Sequence, residues 1–568
     1  MRQSIKWYWI LLLASALLLR LVALNATLLT PDEARLALPA WEASQGQAWP
    51  ASTSSPLLLT GSTLLFLLFG AGDGIARVLP ALTGSVLACT PYLWRRKTGE
   101  HSAYSAAGLL LLSPIALFAA RRLDGTVVGI TGAVLVITAL YLSNAEEAPR
   151  HVSYLWAAGT ALGLTGGASF YDALIPGILA WGIYRWLDTE EKPFNTASLK
   201  NGLAIGIAGA FLISIGLGFR WNGWSGPAEG LQSWLSGWGS INVASYAKGL
   251  LVFLYEPLTL LLAGVGISSA IKKNDPLYLS FIVWAWAAWI LPILRPAAGP
   301  MAQLAPVIPL AMLAGWGLKE TLGSLSNWRW TGEKLHAFLS LIFWIFAGLA
   351  LARQTTYLKS GMELVLVALI VIIQGLMVAG FATLAHRKSA WRGLLLGTAA
   401  ACLLIQVSFG WGASYLRAGN PAEPLVTTAS SADLRNLREM LDTLRTAQGI
   451  SPEAFKVALI SDASDTTAAA AWALRDLPGL ERDTRWAADP GTQVILAPES
   501  SVPPENSAAA DGMKFTTVLR PNTTAVLACN TEIFPPICDR PLKWYFYRQN
   551  PAAPYTEQII LWKLPETP

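Results

Sequence analysis

"TPDEARLALP", residues 30–39, follows an apolar run at 7–29 and sets Asp32, Glu33 and Arg35 together just beyond it. The run is long enough to cross a bilayer, which takes about 20 apolar residues. No clean small-x-small cleavage site follows it, so it reads as a retained first helix rather than a signal peptide. The charged cluster then stands where the chain leaves the membrane, either as solvated loop residues or as the rim of a site.

Composition supports the membrane reading. Of 568 residues, 53% are hydrophobic and 14% charged, whereas soluble domains carry about 25% charged residues. Mean hydropathy is +0.44. The 25 Trp suit a protein with many rings at membrane interfaces. The net charge of +5 lies in short clusters between apolar runs, which is the pattern of topology determinants and not of a nucleic-acid binder.

About thirteen apolar runs recur, near 7–29, 75–93, 102–120, 125–143, 152–168, 172–186, 202–219, 249–271, 277–294, 303–318, 335–352, 362–384 and 391–413. "PLLLTGSTLLFLLFG" (56–70) is short for a span and is expected to lie at or dip into the interface. Basic loops mark the cytoplasmic side. "WRRKTGEH" (94–101), "YRWLDTEEKPF" (184–194), "IKKND" (271–275) and "HRKSAWR" (386–392) all fall there if the N-terminus is inside and 56–70 does not cross. "TPDEAR" and "RRLDG" (121–125) then face outward, as does the C-terminus. "RRLDG" places Arg121 and Arg122 on the side where positive charge is sparse, which marks it as a functional candidate.

After residue 415 the composition changes. Residues 431–447 place Leu434, Leu437, Leu441 and Leu444 on one helical face. Strands are expected at 456–461, 492–498, 514–520 and 557–564, with a helix at 464–477. The chain is therefore expected to be a polytopic α-helical membrane protein (1–415) with a C-terminal extracytoplasmic α/β domain (416–568). Asp462, after the first of these strands, is either a turn or cap residue or sits at a ligand crevice. Cys529 and Cys538 are expected to form a disulfide if that region faces an oxidising compartment. Cys89 and Cys402 read as packing residues. No Cys-x-x-Cys is present and His number only four, which disfavours a zinc site.

Asp124 starts the fourth span on the same side as Asp32, so the two carboxylates can converge at the membrane surface. The neighbouring Arg121 and Arg122 suit phosphate, because a guanidinium donates two parallel bonds. The wider sequence, from "TPDEARLALPAWEASQGQ" through "GAGDGIARVLPAL" (70–82) to "LLSPIALFAARRLDG" (111–125), resembles the membrane glycosyltransferases of the C superfamily. It is similar to the branch holding dolichyl-phosphate-mannose–protein mannosyltransferases and bacterial aminoarabinose transferases. Residues 7–145 carry the resemblance most fully, and "VIPLAMLAGWGL" (307–318) extends it.

The resemblance implies transfer of a sugar from a polyprenyl-phosphate carrier to a protein, lipid or glycan acceptor at the outer face of the plasma membrane. Asp32 takes the place of the family's loop acid, as general base or acceptor orienter. Glu33 and Arg35 support it, with Arg35 near the carrier phosphate, and Asp124 matches the acid at the later helix start. A divalent cation on Asp32, Glu33 and Asp124 is chemically possible through oxygen ligation.

The sequence also departs from relatives. "LTGGASFYDALIP" (164–176) has Asp172 but no Lys, "STSSPLL" (52–58) lacks the basic or His-Pro motif, and "LRPAAGPMAQLAP" (294–306) keeps Arg295 without a Tyr. These departures point to a rival reading, a catalytically degenerate relative serving as a scaffold or assembly subunit. A lipid or solute transporter is a third reading, for which Glu256, inside an apolar run, is the single candidate. Arg295 either binds a phosphate or snorkels. The Trp-rich 219–240 segment reads as an interfacial anchor.

Overall fold

The computed structural model describes residues 7–564 apart from 51, 144–150, 189–193, 242, 323–331, 357–361, 385–386, 463, 484–490, 502–511, 523–538 and 550–552. The expected Cys529–Cys538 pair lies outside the described residues. Cys89 and Cys402 are free thiols.

All thirteen apolar runs are helical, but they are not thirteen equal spans. Among the described residues, seven helices are long and apolar enough to cross a membrane, or up to nine if each of two bent pairs is one span. Trp7–Leu21 and Pro56–Phe69 are shorter apolar helices. The 75–93 run is divided among Asp73–Ala76, Val78–Cys89 and the start of Pro91–Thr98. By length and composition the chain is a multi-pass membrane protein.

The bends occur where the sequence reads as continuous. Glu100–Leu112 and Pro114–Ala120 meet at 61°, and the Ser245–Tyr255 and Pro257–Lys273 segments at 85°. Proline explains both. It lacks an N–H and pushes the preceding residue, Ser113 or Glu256, out of the helical region. The two breaks touch each other. Glu256, fully buried, accepts hydrogen bonds from Ser113 Oγ, from Ile115 N at 3.5 Å and from Thr259 Oγ1 at 2.9 Å. Gln406 Oε1 takes the freed Leu258 N at 3.1 Å. Backbone groups released inside an apolar bundle must find such partners.

Glycines bring the helices around Gly125–Leu142 close. A Cβ on Gly132 would lie 2.4 Å from Gly163 N, so these two helices pack backbone to backbone, as small residues allow in membranes. The ends of the bundle differ. Lys97 donates to Tyr141 O at 2.7 Å and lies over the Tyr184 ring. Lys273 and Lys319 both lie over Trp316. Three basic clusters thus gather at the Leu142 end of Gly125–Leu142. Eighteen residues separate that end from the other, about 27 Å at 1.5 Å per residue.

The sheet domain stands at the opposite end, beside Asp124. Its strands are β1 (Ala429–Ser430), β2 (Lys456–Ile460), β3 (Leu480–Asp483), β4 (Thr492–Pro498), β5 (Gly512–Arg520) and β6 (Tyr555–Lys563). They form one sheet in the order β1-β5-β6-β4-β2-β3. β2 runs parallel to β3 and β4, and the other pairs are antiparallel. Leu434, Leu437 and Leu441 are buried as the helical spacing requires. β1, β3 and the Asp539–Tyr547 helix were not legible in the sequence; the two strands are too short to show an alternating pattern.

The Asp465–Leu474 helix packs on Pro31–Ser44 and joins the two parts. Both helices bury small residues. Ala34, Ala37 and Ala40 on one helix and Ala469, Ala470 and Ala471 on the other belong to a single core. Trp472 Nε1 donates to Asp73 Oδ1 at 2.8 Å, and Ser430 Oγ to Leu29 O at 2.6 Å.

Candidate active site

The site begins with the helix that "TPDEARLALP" forms. Thr30 caps Pro31–Ser44 through a capping box. Glu33 N donates to Thr30 Oγ1 at 3.3 Å, and Thr30 N donates to Glu33 Oε2 at 2.9 Å. Pro31 fits the first turn, where no backbone donor is needed.

Successive helical residues point about 100° apart, and Asp32 and Glu33 accordingly meet different surroundings. Glu33 is buried. Arg77 grips it with Nε and Nη2, both at 2.7 Å, while Leu123 N donates at 2.8 Å and Arg122 Nη1 at 3.2 Å. Arg77 also donates to the carbonyls of Leu24, Thr27 and Leu28. Burial opposes ionisation of Glu33, but Arg77 and Arg122 overcome it and hold the carboxyl well below the usual range. Glu33 therefore ties the first loop to the 121–124 turn.

Asp32 faces a cavity of about 900 Å³ between the bundle and the sheet domain. Its side chain is 56% exposed, to that cavity. Thr428 Oγ1 donates to it at 3.2 Å and Arg35 Nη1 at 3.4 Å. The surrounding protein and the nearby Asp465 raise its carboxyl above the ordinary value, against Arg35 and Thr428. Asp124 lines the same cavity and caps Gly125–Leu142, its Oδ1 accepting from Thr126 N and Oγ1 at 2.9 Å each. Burial raises its carboxyl also. The two acids expected to converge thus share one cavity.

The expected phosphate arginines are distributed otherwise. Arg35 lines the cavity with its side chain 46% exposed. Arg122 reaches the wall but is committed to Glu33 and Ala418 O. Arg121 donates to the carbonyls of Leu19, Arg20, Val22, Ala23 and Ser414 and stacks on Tyr415, so its fork clamps chain ends instead of facing open space. Arg295 is buried against Asp172, whose Oδ1 it meets through Nε at 3.0 Å; Trp234 Nε1 donates to the same oxygen at 2.9 Å. That pair stands just before Ala297, Gly299, Pro300 and Met301, which form a cavity wall. Glu256 lies at the helix breaks, away from the cavity-lining residues. Among the described residues no group of three or more His, Cys, Asp or Glu has metal-holding geometry. Glu33, turned toward Arg77, does not join Asp32 and Asp124 as a ligand set.

Sequence reasoning missed the far wall. Asp465, Arg520, Glu557 and Thr428 line the cavity from the sheet domain. Asp465 pairs with Arg35 and with Arg520, and Arg520 Nε donates to Glu557 at 2.6 Å. The strand-to-helix junction after β2 was the available signal, since ligand crevices open at the carboxyl ends of parallel strands. Asp462 at that junction is a turn residue, accepting from Ser464 N at 3.0 Å; Asp465, three residues on, reaches the cavity.

Bent helix pairs, a capped helix at one mouth of the bundle and a sheet domain over it make up a fold that also occurs among solved membrane proteins. In particular it is similar to ArnT from Cupriavidus metallidurans in the apo state, with a TM-score of 0.51 and 17% identity over 87% of this chain and 93% of that one. The same protein bound to undecaprenyl phosphate gives 0.48 and 16%, over 88% and 94%. An oligosaccharyltransferase from Archaeoglobus fulgidus gives 0.34 and 13%, over 86% and 67%. At these identities the likeness is one of fold. No family model matches the chain, and no curated protein matches it.

Proposed function

We propose that the protein transfers a sugar from a polyprenyl-phosphate donor to an acceptor at the outer face of the plasma membrane. The observation that carries this reading is the shared cavity. It brings the carboxylates of Asp32 and Asp124 and the guanidinium of Arg35 to one mouth of the bundle. The fold shared with ArnT supports the same reaction class, and the basic clusters at the far end support an outward-facing cavity.

In this reading Asp32 accepts the acceptor's proton as its oxygen or nitrogen attacks the anomeric carbon. The bond from that carbon to the phosphate oxygen breaks, and the phosphate leaves on the carrier. Arg35 stabilises the developing charge through its exposed donors. Asp124 holds the facing helix end and adds a second carboxylate to the acceptor side. Glu33 is a positioning residue, fixing the turn that aims Asp32. Arg121, Arg122 and Arg295 hold the walls.

The test is sugar transfer by purified protein from mixed polyprenyl-phosphate sugars, comparing wild type with Asp32→Asn. Turnover lost in the variant with its melting temperature unchanged supports the assignment. No turnover by wild type with any donor or acceptor sinks it and favours the scaffold reading.

A further inference from the structure

We propose that the sheet domain completes an anion subsite in the cavity, and that Asp465 occupies this subsite until a phosphate displaces it. The proposal rests on the reading of this cavity as the place where a phosphate-bearing donor is held.

Of the cavity-lining arginines, Arg35 and Arg520 are the open ones. Their side chains are 46% and 42% exposed, whereas that of Arg122 is 6% exposed and committed to Glu33. They come from different parts of the chain, Arg35 from the Pro31–Ser44 helix and Arg520 from the end of β5. Between them lies one carboxylate. Asp465 gives Oδ1 to Arg35 and Oδ2 to Arg520, and is itself only 7% exposed. A carboxylate between two guanidinium forks presents two anionic oxygens where a phosphate would present its own.

The arrangement is built for exchange. Arg520 remains aimed without Asp465, because Glu557 Oε1 holds its Nε at 2.6 Å and Thr466 Oγ1 braces Glu557 Oε2 at 3.0 Å. Arg35 likewise keeps its contact with Asp32. Both arginines are partly exposed to the cavity, so an entering phosphate, with more acceptor oxygens, can reach the same donors. No covalent step is involved. The domain would then sense an occupied site through release of Asp465 from Arg35, an ion pair that bridges the two parts at the cavity.

The test measures binding to the purified full-length chain in detergent by isothermal titration, with farnesyl phosphate, farnesol and inorganic phosphate as probes. Arg520→Gln should weaken farnesyl phosphate about tenfold, the scale of one charge-assisted bond, and Arg520→Lys should recover part of that loss. Asp465→Asn should tighten binding several-fold, since it removes the competing charge. Asp465→Ser serves where Asp465→Asn does not fold. Equal or weaker binding by the folded Asp465 variants overturns the displacement, and unchanged binding by Arg520→Gln overturns the subsite while leaving the carrier reading in place. Wild type that binds inorganic phosphate but gains nothing from the farnesyl chain keeps the subsite and sinks the lipid carrier. Binding of neither phosphate overturns the proposal.

Discussion

Asp32 and Glu33 are adjacent and chemically alike, and the fold gives them opposite tasks. Replacing Glu33 by Gln leaves Arg77 and Arg122 facing a neutral partner inside the protein. Breaking a buried pair in this way costs about 3–5 kcal/mol, which thermal unfolding in detergent would show as a clear drop in melting temperature. Because the folded carboxyl is held low by the two arginines, the stabilisation is fully present above the unfolded value near 4.5. It declines below that pH and is gone once pH has passed the depressed folded value. The gap between wild type and Glu33→Gln should therefore hold steady from pH 7 to 5 and narrow on further acidification. Asp32 behaves in the reverse sense. Its carboxyl is raised by burial and by Asp465, so it protonates earlier as pH falls, and the proposed base would be lost. The acid limb of the transfer rate should be shifted upward from that of an ordinary aspartate, and Asp465→Asn should move it to lower pH. Both acids were visible in the sequence. Their division of labour was not, because it depends on Arg77 and Arg122, which are 44 and 89 positions away.

At the scale of elements, the two helix breaks are one structure. The runs holding Ser113–Pro114 and Glu256–Pro257 each read as continuous in the sequence, and Glu256 accepts from Ser113 Oγ and Ile115 N of the first break and from Thr259 Oγ1 of the second, while Gln406 takes the freed Leu258 N. Glu256→Ala leaves Ser113 Oγ, Ile115 N and Thr259 Oγ1 buried without their acceptor. At about 1–3 kcal/mol for a buried unsatisfied group, this variant should lose stability sharply, while Glu256→Gln, which keeps one acceptor oxygen, loses less. Ranking the two by melting temperature checks the assignment. Equal stability of both with wild type would return Glu256 to the list of candidate intramembrane sites. The Arg295–Asp172 pair acts on a neighbouring element in the same way, anchoring the start of the 297–301 wall. The sequence showed that Glu256 was unusual, since a carboxyl inside an apolar run always is. It gave no hint that its partners lay near residue 113, since a run's apolarity carries no record of which other run it meets.

At the scale of the molecule, the cavity exists because the Asp465–Leu474 helix of the sheet domain lies against the capped helix of the first loop. Ala470, on the Asp465–Leu474 helix, is fully buried. Ala470→Leu adds volume where neither backbone can retreat freely, costing about 1–3 kcal/mol. Limited proteolysis should then cut the sheet domain faster and sugar transfer should fall, while the detergent-solubilised protein still runs as a single species. Retained activity with a loosened domain would mean that the membrane part works without its cover.

The sequence by itself determined what local chemistry determines. Apolar runs marked the helices of the membrane part, and short apolar stretches marked the longer strands of the sheet domain. Its basic clusters and its resemblance to C-superfamily glycosyltransferases drew attention to Asp32 and Asp124. Only the tertiary structure decided which charges are free. Arg121, Arg122 and Arg295 looked like phosphate ligands, but a guanidinium's availability depends on the acceptors that folding brings to it, and here those are Glu33, Asp172 and the carbonyls of distant segments. Arg520 and Asp465 reach the cavity because a sheet folded some 400 residues after Asp32 returns to cover it. That return is held by contacts such as Trp472 to Asp73 and Thr428 to Asp32, and nothing in either segment alone specifies the other.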